Sequence, residues 1–290
     1  MIKILISGGD SKLAYFLMPY LKNNISKILL LNKSKLDITD FKTLNKVISD
    51  FKPTFFLNLS SSNNVDLIEY NPLNALATNG HALEALSETC NKNNVCLIHF
   101  STNYVFDGIQ GFYDEMSDTN PISFYGKSKL LGESFINKIL KSFYIIRTSN
   151  LCSLKTQNIL TNMISHIKSN DQINAVDDFY ISLTKYDDLA YMVFEIIKRH
   201  NSNLKVDYGT YHFSSFFPIS YYDFSKYLVN RFFPNKNIKV IPIKHSEYKG
   251  LNFNIRPRKA FLISDKINSA LNIKKLKTRK VVEYDYSETK

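Results

Sequence analysis

The stretch IKILISGGDSKLA, residues 2–14, contains the pattern from which the fold is predicted. Its first five residues form a short apolar run typical of a buried β-strand, and the residues after the glycines have the apolar spacing of a helix. A glycine-rich turn between a first strand and a first helix offers backbone N–H groups to a pyrophosphate. Gly8 begins such a motif, but Ser11 and Ala14 stand where its second and third glycines would be. A phosphate-binding loop and an ordinary strand–helix turn both fit this segment.

The rest of the N-terminal half repeats the alternation of strand and helix. Apolar runs predict strands at residues 2–6, 28–31, 54–59, 95–100 and 143–147. Helical patterns lie between them, at residues 12–23, 40–50, 73–91 and 125–140. Strands that are apolar throughout are expected in a parallel sheet that is covered by helices on both faces. The sequence therefore predicts an α/β fold with a Rossmann-type, doubly wound parallel sheet over residues 1–152.

After residue 152 the pattern becomes looser. Helices are predicted at residues 157–168, 185–200 and 221–232, and a short strand at 238–241. Residues 153–290 are therefore assigned mainly to a small C-terminal α/β lobe that binds substrate, with residues 171–200 returning to the Rossmann sheet. Ligands of open α/β sheets bind beyond the carboxyl ends of the strands, so the chemistry is expected there.

The chain is strongly basic, with 37 Lys and Arg against 26 Asp and Glu and a formal net charge of +11. Such an excess suits nucleic acid, an anionic membrane surface or a phosphorylated small molecule. No nucleic-acid-binding motif accompanies the charge, and no apolar run reaches the roughly 18 residues that span a membrane. A phosphorylated ligand is therefore expected, with neither nucleic acid nor membrane as partner. The three cysteines lack a paired spacing, which predicts no metal site and a reducing, cytoplasmic setting.

Two lysines follow the second predicted strand. An acidic residue at this place in a dinucleotide-binding fold binds the ribose 2′-hydroxyl of NAD, whereas basic residues accommodate the 2′-phosphate of NADP. Lys33 and Lys35 stand there with no carboxylate between them. They favour NADPH as the cofactor; NADH is the alternative, and ordinary surface charge is another interpretation of the lysines.

The strongest catalytic candidates are Tyr125 and Lys129, at the start of a predicted helix. Residues four apart share a helix face, so the ammonium can stabilise a developing tyrosinate and make a phenol whose pKa is normally about 10 useful in acid–base catalysis. The spacing alone is unspecific, because Tyr222 and Tyr286 are also followed by a lysine four residues later. Tyr125 alone follows a buried strand that ends in hydroxyl residues, and this context selects it.

The sequence around these residues resembles the dTDP-4-dehydrorhamnose reductase family of extended short-chain dehydrogenases. Residues 101–108, STNYVFDG, are similar to the family signature STDYVFDG, and they lead at family-like spacing to YGKSK at residues 125–129. Weaker matches extend the resemblance to about residue 276. They are LDITD at 36–40, the segment 58–69, RTS at 147–149, YHFS at 211–214 and RP at 256–257.

The resemblance implies a role for each matching residue. Tyr125 would protonate a sugar carbonyl oxygen, Lys129 would lower the pKa of the tyrosine and bind the nicotinamide ribose, Thr102 would hydrogen-bond the carbonyl oxygen, and Asn79 would order a proton-relay water. Further cofactor contacts are implied for Gly8, Ser11, Lys12, Leu13, Lys33, Asp37, Ile38, Ser60 and Ser61. Substrate contacts are implied for Asn103, Tyr104, Asn150 and Arg256.

Three departures from the family pattern bear on cofactor and substrate. The cofactor loop lacks two glycines, at Ser11 and Ala14. Asn103 replaces the Asp of STDYVFDG, and Asn150 replaces the Trp that commonly follows R-T-S in the family. The two asparagines lie on the expected sugar side, and they fit either an altered choice of substrate or neutral drift.

The leading functional hypothesis is an NADPH-dependent reductase of a nucleotide-activated 4-keto-6-deoxy sugar in deoxysugar or surface-polysaccharide synthesis. A non-catalytic regulatory subunit of the same fold is favoured by the altered glycine loop and opposed by the retained Thr102, Tyr125 and Lys129. A sugar-nucleotide epimerase or dehydratase would differ in whether the hydride returns to the substrate, which the sequence leaves open. A homodimer is compatible with all three hypotheses.

Overall fold

The fold is built on one six-stranded sheet, as seen in the computed structural model, which describes residues 1–25, 27–248 and 255–280. The strands of this sheet are β1 (Lys3–Ser7), β2 (Lys27–Leu31), β3 (Phe55–Asn58), β4 (Cys96–Thr102), β6 (Phe143–Thr148) and β11 (Gly209–Phe213). They lie in the order β2-β1-β3-β4-β6-β11, and every neighbouring pair is parallel. The order reverses between β1 and β3, which confirms the predicted Rossmann-type doubly wound sheet.

Helices cover both faces of the sheet. The helices are α1 (Lys12–Lys22), α2 (Phe41–Phe51), α3 (Val65–Tyr70), α4 (Leu73–Ala75), α5 (Ala82–Lys92), α6 (Phe124–Ile139), α7 (Ile159–Lys168), α8 (Tyr186–Lys198), α9 (Tyr221–Phe232) and α10 (Asp265–Leu271). Successive strand residues point to opposite faces, so Ile4 packs in the core with α1 and α8, and Leu5 packs in the core with α2, α5 and α6. Both faces are therefore buried, which explains why the strands are apolar throughout.

The helix predicted at residues 73–91 is interrupted in the structure. It begins as α4, passes through a π-helical turn at Leu76–His81 and continues as α5. Such wide turns in a helix often occur at functional sites, and this turn carries Asn79.

The C-terminal lobe is assembled from paired short strands and two helices. The pairs are β5 (Gly111–Tyr113) with β14 (Ala260–Leu262), β7 (Leu151–Cys152) with β10 (Thr184–Lys185), β8 (Gln172–Val176) with β13 (Lys239–Ile243), and β9 (Tyr180–Ile181) with β12 (Ile219–Ser220). The core of the lobe joins α7 and α9 to β8 through Ile167, Phe224 and Ile173. No helix of residues 1–25, 27–248 or 255–280 is both long and apolar enough to cross a membrane.

Residues 171–200 are divided between the lobe and the Rossmann layer. Within residues 171–200 only α8 returns to the Rossmann layer, where it packs against α1, while β8 and β9 stay in the lobe. The sixth strand of the sheet is β11, which was not predicted, and α10 packs beside it. The polar His212 interrupts the apolar pattern of β11. In the folded protein this histidine is buried, with its Nε2 3.3 Å from Nη1 of Arg147 on β6.

Candidate active site

A cleft of about 730 Å³ lies at the carboxyl ends of β1, β3, β4 and β6, between the sheet and the lobe. This is the place that the reversal of strand order predicts for a ligand. The structure brings most of the sequence-predicted site residues to this cleft. They are Ser11, Lys12, Leu13, Ser60, Ser61, Thr102, Asn103, Tyr104, Tyr125, Lys129, Asn150 and Arg256.

The glycine loop leads into the floor of the cleft. Gly8 has φ of +64°, and a Cβ there would lie 2.8 Å from the carbonyl carbon of Leu59, so glycine is required for the loops after β1 and β3 to approach each other. The Ser11 hydroxyl accepts a hydrogen bond of 3.2 Å from the Ala14 N–H and thereby caps α1. The Lys12 ammonium donates to the Gln157 carbonyl of the lobe. The loop thus leads into a capped helix N-terminus, and Lys12 in the first turn of this helix contacts the lobe.

The residues after β2 lie outside the cleft. Lys33 is exposed at the surface, 3.6 Å from the Asp37 carboxylate. Asp37 also accepts hydrogen bonds from the Thr39 N–H and hydroxyl, and these bonds together with Lys33 hold its pKa below the ordinary value despite the opposing effect of burial. The Ile38 side chain packs in the core beside α2, so only its backbone could form the cofactor contact that the resemblance implies.

Asn79 lies behind the cleft in the π-helical turn, and its amide is saturated by protein groups. Its Oδ1 accepts from the Ser61 hydroxyl at 3.0 Å and the Ser62 N–H at 2.9 Å. Its Nδ2 donates to the Ser62 carbonyl at 2.8 Å and the Ser128 hydroxyl at 3.0 Å. An amide with two donors and two acceptor positions has no capacity left for a water molecule. In this arrangement the Asn79 side chain holds the loop after β3 against α6, and its role in ordering a relay water stays a prediction.

Tyr125 and Thr102 meet at the inner end of the cleft. The Ser123 hydroxyl caps α6 by accepting from the Gly126 N–H, so that Tyr125 lies in the first turn of this helix. A Cβ at Gly126 would lie 2.1 Å from the Tyr104 carbonyl oxygen, so this glycine lets α6 pack closely against the end of β4. The Tyr125 ring stands edge-on to Tyr104 at 5.5 Å. Tyr125 and Thr102 both line the cleft, so a phenol and a hydroxyl are available to the same ligand.

The expected effect of Lys129 on Tyr125 is not seen in the ligand-free protein. Burial raises the pKa of Tyr125 to about 12, and the nearby Thr102 hydroxyl only partly offsets this rise. The Lys129 ammonium group lies 2.6 Å from the Phe100 carbonyl oxygen and 3.4 Å from Nε2 of His99. Burial lowers the pKa of Lys129 itself to about 8, against the opposing influence of Glu133. The lysine is therefore bound to the backbone of β4 and a buried histidine, neither of which the sequence pattern indicated.

A second cavity of about 390 Å³ opens from the cleft toward the lobe. Arg256 crosses it, donating 3.2 Å to the Tyr104 hydroxyl and 2.7 Å to the Asp66 carboxylate. Tyr221 forms another part of its wall, and burial raises the pKa of that phenol. Tyr104 and Arg256 were predicted from the resemblance. Asp66 and Tyr221 were not, although Asp66 lies in the segment that matches the family.

The two asparagines that depart from the family pattern both line this second cavity. The buried Asn103 Nδ2 donates to the Ala260 carbonyl of β14 at 2.9 Å. A carboxylate at this position has no hydrogen to donate, so the amide fits its neighbour where Asp would not. The Asn150 Nδ2 donates to the Ser182 carbonyl at 3.3 Å.

Metal chemistry has no visible support in the described part of the chain, since no group of three or more His, Cys, Asp or Glu side chains there could hold a metal ion. The free cysteines Cys90, Cys96 and Cys152 are buried, and burial raises the pKa of each thiol.

Comparison with known proteins extends the resemblance to the whole chain. The family model described as RmlD substrate binding domain matches residues 2–288. A dTDP-4-dehydrorhamnose reductase from Sinorhizobium fredii is 32% identical over 251 residues, which are 85% of this chain and 84% of that protein.

Solved structures agree with the sequence match. The crystal structure of dTDP-4-dehydrorhamnose reductase from Bacillus anthracis in complex with NADP is 27% identical, with 91% of each chain covered and a TM-score of 0.81. The Yersinia enterocolitica dTDP-4-dehydrorhamnose reductase is 25% identical, with 100% of this chain and 98% of that chain covered and a TM-score of 0.86. With the fold, the cleft and the Thr102–Tyr125 pair in place, this chain belongs to the dTDP-4-dehydrorhamnose reductase family of sugar-nucleotide reductases.

Proposed function

We propose that this chain is an NADPH-dependent reductase of a nucleotide-activated 4-keto-6-deoxy sugar and serves deoxysugar or surface-polysaccharide synthesis. The observation that carries the proposal is that Thr102, Tyr125 and Lys129 line one cleft, beside Asn103 and Tyr104, which also line the second cavity. A ketone bound in this cleft would receive a proton from Tyr125 and a hydride from a reduced nicotinamide. Retention of these residues also argues against a purely regulatory subunit, which needs no proton donor.

The proposed chemistry assigns Tyr125 as the proton donor. Because burial raises its pKa to about 12, the phenol stays protonated at neutral pH and can transfer its proton to the carbonyl oxygen. Thr102 orients that oxygen by hydrogen bonding. Lys129, in its ammonium form, stabilises the tyrosinate that remains. When bound, the reduced nicotinamide supplies two electrons and a hydrogen to the carbonyl carbon.

The cleft fits a dinucleotide, and the surface beside it fits the 2′-phosphate. The N-terminus of α1 faces the cleft with Lys12 and Leu13, and helix N-termini bind phosphate through their backbone N–H groups. Lys33 stands at the end of β2, and its side chain is 77% exposed. Its contact with Asp37 at 3.6 Å is an exposed ion pair of little strength, so Lys33 is free to turn toward a phosphate.

The test is consumption of NADPH by the purified chain with dTDP-4-dehydrorhamnose and a panel of related nucleotide-linked 4-keto-6-deoxy sugars. Tyr125→Phe is expected to lower kcat roughly 10²–10⁴-fold, as for loss of a general acid. Tyr222→Phe is the matched control, because it has the same spacing to a lysine but lies on α9 outside the cleft. A loss for Tyr125→Phe of no more than the control would contradict the assignment.

The same assay separates the alternative functions. A reductase consumes one NADPH per product, whereas an epimerase or dehydratase returns the hydride and consumes none. Binding of NADPH without turnover of any sugar would support the regulatory hypothesis. Calorimetric titration with NADPH and NADH tests the cofactor, and equal affinity for the two would remove the argument from Lys33.

A further inference from the structure

A buried row of polar side chains crosses the sheet below Lys129. Ser7 of β1, Asn58 of β3 and His99 of β4 are register partners on adjacent parallel strands. The Ser7 hydroxyl lies 2.9 Å from Asn58 Oδ1, Asn58 Nδ2 lies 3.2 Å from His99 Nδ1, and His99 Nε2 lies 3.4 Å from the nitrogen of Lys129. All four side chains are buried. The row is therefore a continuous path of hydrogen-bonding groups that ends at a catalytic candidate.

The donors at Asn58 determine the direction of each hydrogen bond in the row. Asn58 Oδ1 accepts from the Ser7 hydroxyl and, at 3.2 Å, from the Ser60 backbone N–H, which can only donate. The amide nitrogen of Asn58 must then face His99 Nδ1 and donate to it. Burial and the neighbouring Lys129 hold the pKa of His99 well below its usual value, so the ring is neutral. A neutral imidazole whose Nδ1 accepts carries its hydrogen on Nε2.

The Nε2–H of His99 therefore points at the nitrogen of Lys129. An amine has a lone pair to accept this hydrogen, while it donates one of its own to the Phe100 carbonyl at 2.6 Å. An ammonium has only hydrogens, so charging Lys129 would set one donor against another. We propose that Asn58 and His99 are positioning residues that fix the Nε2–H tautomer and thereby favour the neutral amine of Lys129 in the ligand-free protein.

The other groups around Lys129 act in both directions. Its own helix supplies the Glu133 carboxylate, which favours the ammonium but is bound to Arg147 of β6 at 2.6 Å. Tyr125, on the same helix, is uncharged because burial raises its pKa. Burial of Lys129 favours the amine and outweighs Glu133. Only His99 among these groups aims a hydrogen at the lysine nitrogen, so it is the group whose tautomer can be reversed experimentally.

A single substitution reverses the row. In Asn58→Asp the introduced carboxylate still accepts from Ser7 and Ser60, but it presents an acceptor to His99 Nδ1. The ring then carries its hydrogen on Nδ1, and Nε2 becomes an acceptor for the Lys129 ammonium. A hydrogen bond to a charged group corresponds to a pKa change of about 1 to 2 units. The added negative charge also favours the ammonium, so the variant is compared with Asn58→Asp in a His99→Phe background, which retains the charge but not the ring.

The readout is the ¹³Cε chemical shift of Lys129 as a function of pH, in protein labelled with [6-¹³C]lysine and assigned by the signal missing from Lys129→Arg. We expect Asn58→Asp to raise the pKa of Lys129 by about 1 unit or more in the wild-type background. In the His99→Phe background, adding Asn58→Asp should raise the Lys129 pKa by less than half as much. Equal rises in the two backgrounds, or no rise, would overturn the proposal. The measurement uses no cofactor or sugar, so a negative result here can be distinguished from a failure of the proposed function. Only the catalytic role of Lys129 rests on the proposed function.

A second measurement needs no variant at the row. Long-range ¹H–¹⁵N correlation spectra of the wild-type protein, with His99→Phe used only for assignment, report which ring nitrogen carries the hydrogen. We expect a neutral His99 with hydrogen on Nε2 above pH 8, where Lys129, whose pKa burial lowers to about 8, is the neutral amine and can accept this hydrogen. Hydrogen on Nδ1, or a charged ring, would refute the proposal even if Asn58→Asp failed to fold.

Discussion

Replacing Arg147 by methionine is expected to destabilise the protein severely, because it leaves a buried carboxylate without its partner. Arg147 on β6 and Glu133 on α6 are both buried, and the guanidinium contacts the carboxylate oxygens at 3.0, 3.1 and 2.6 Å. The guanidinium carbon also lies 5.2 Å from the centre of the Phe106 ring, and Nη1 contacts His212 at 3.3 Å. The pair anchors α6 one turn after Lys129.

The magnitude follows from the burial of the pair. Breaking a buried ion pair by removing one partner costs about 3–5 kcal/mol, whereas replacing both partners by apolar groups is often close to neutral. Arg147→Met should therefore lower the free energy of unfolding by about 3–5 kcal/mol. Arg147→Met/Glu133→Leu should recover most of that loss, although His212 then loses the Nη1 contact.

Urea unfolding followed by circular dichroism measures these free energies, and the double-mutant cycle isolates the coupling between the two residues. Lys244→Met is the control, because Lys244 and Asp177 form an ion pair of 2.9 Å whose lysine side chain is 61% exposed. This exposed pair should leave the unfolding midpoint nearly unchanged. A loss below about 1 kcal/mol for Arg147→Met, or a double variant no more stable than the single one, would refute the reasoning, since both results lie outside the range for a buried pair.

Two further predictions concern the site. If the ammonium of Lys129 is the active form, kcat/KM should fall as the pH rises through about 8, the lowered pKa of this buried lysine. Tyr125 should cause no further loss below pH 12, because its pKa is near 12. Lys129→Arg, which stays charged, should abolish the fall above pH 8, and a wild-type profile that stays flat to about pH 9.5 would contradict the assignment. Asn103→Asp should cost about 1–3 kcal/mol in urea unfolding, because it loses the hydrogen bond to Ala260 and sets a carboxylate against a carbonyl; unchanged stability with an altered choice of sugar would show instead that the side chain acts on substrate.

The fold could be predicted wherever local pattern and burial agree. The five predicted strands of the sheet are mainly apolar because helices cover both faces, and all five predictions are confirmed. The sixth strand, β11, was not predicted because it carries the polar His212 at a buried position. The His212 ring contacts Arg147 and the Tyr113 carbonyl there. That compensation comes from residues distant in the sequence, which no local pattern can reveal.

Some residues of the candidate site could be predicted from local sequence, and others could not. Tyr125 and Lys129 could be found because they lie four residues apart at the start of a helix that follows a buried strand ending in hydroxyl residues. Asn58 and His99 could not be connected, because they are 41 residues apart and meet only through the register of β3 with β4. The available signal was a lone polar residue in each of two apolar strands. Such a residue is expensive to bury without a partner, so it implies a buried contact without naming it.

The altered glycine loop is best understood through what its replacements contact. Ser11 caps α1 by accepting the Ala14 N–H, so one of the N–H groups at the helix start is already satisfied by the protein. Lys12 extends from the same turn to the Gln157 carbonyl of the lobe. A phosphate at this helix N-terminus would compete with that carbonyl for the ammonium, and a charged acceptor forms the stronger hydrogen bond. Through Lys12 the glycine loop is thus joined to the segment that precedes α7 in the lobe.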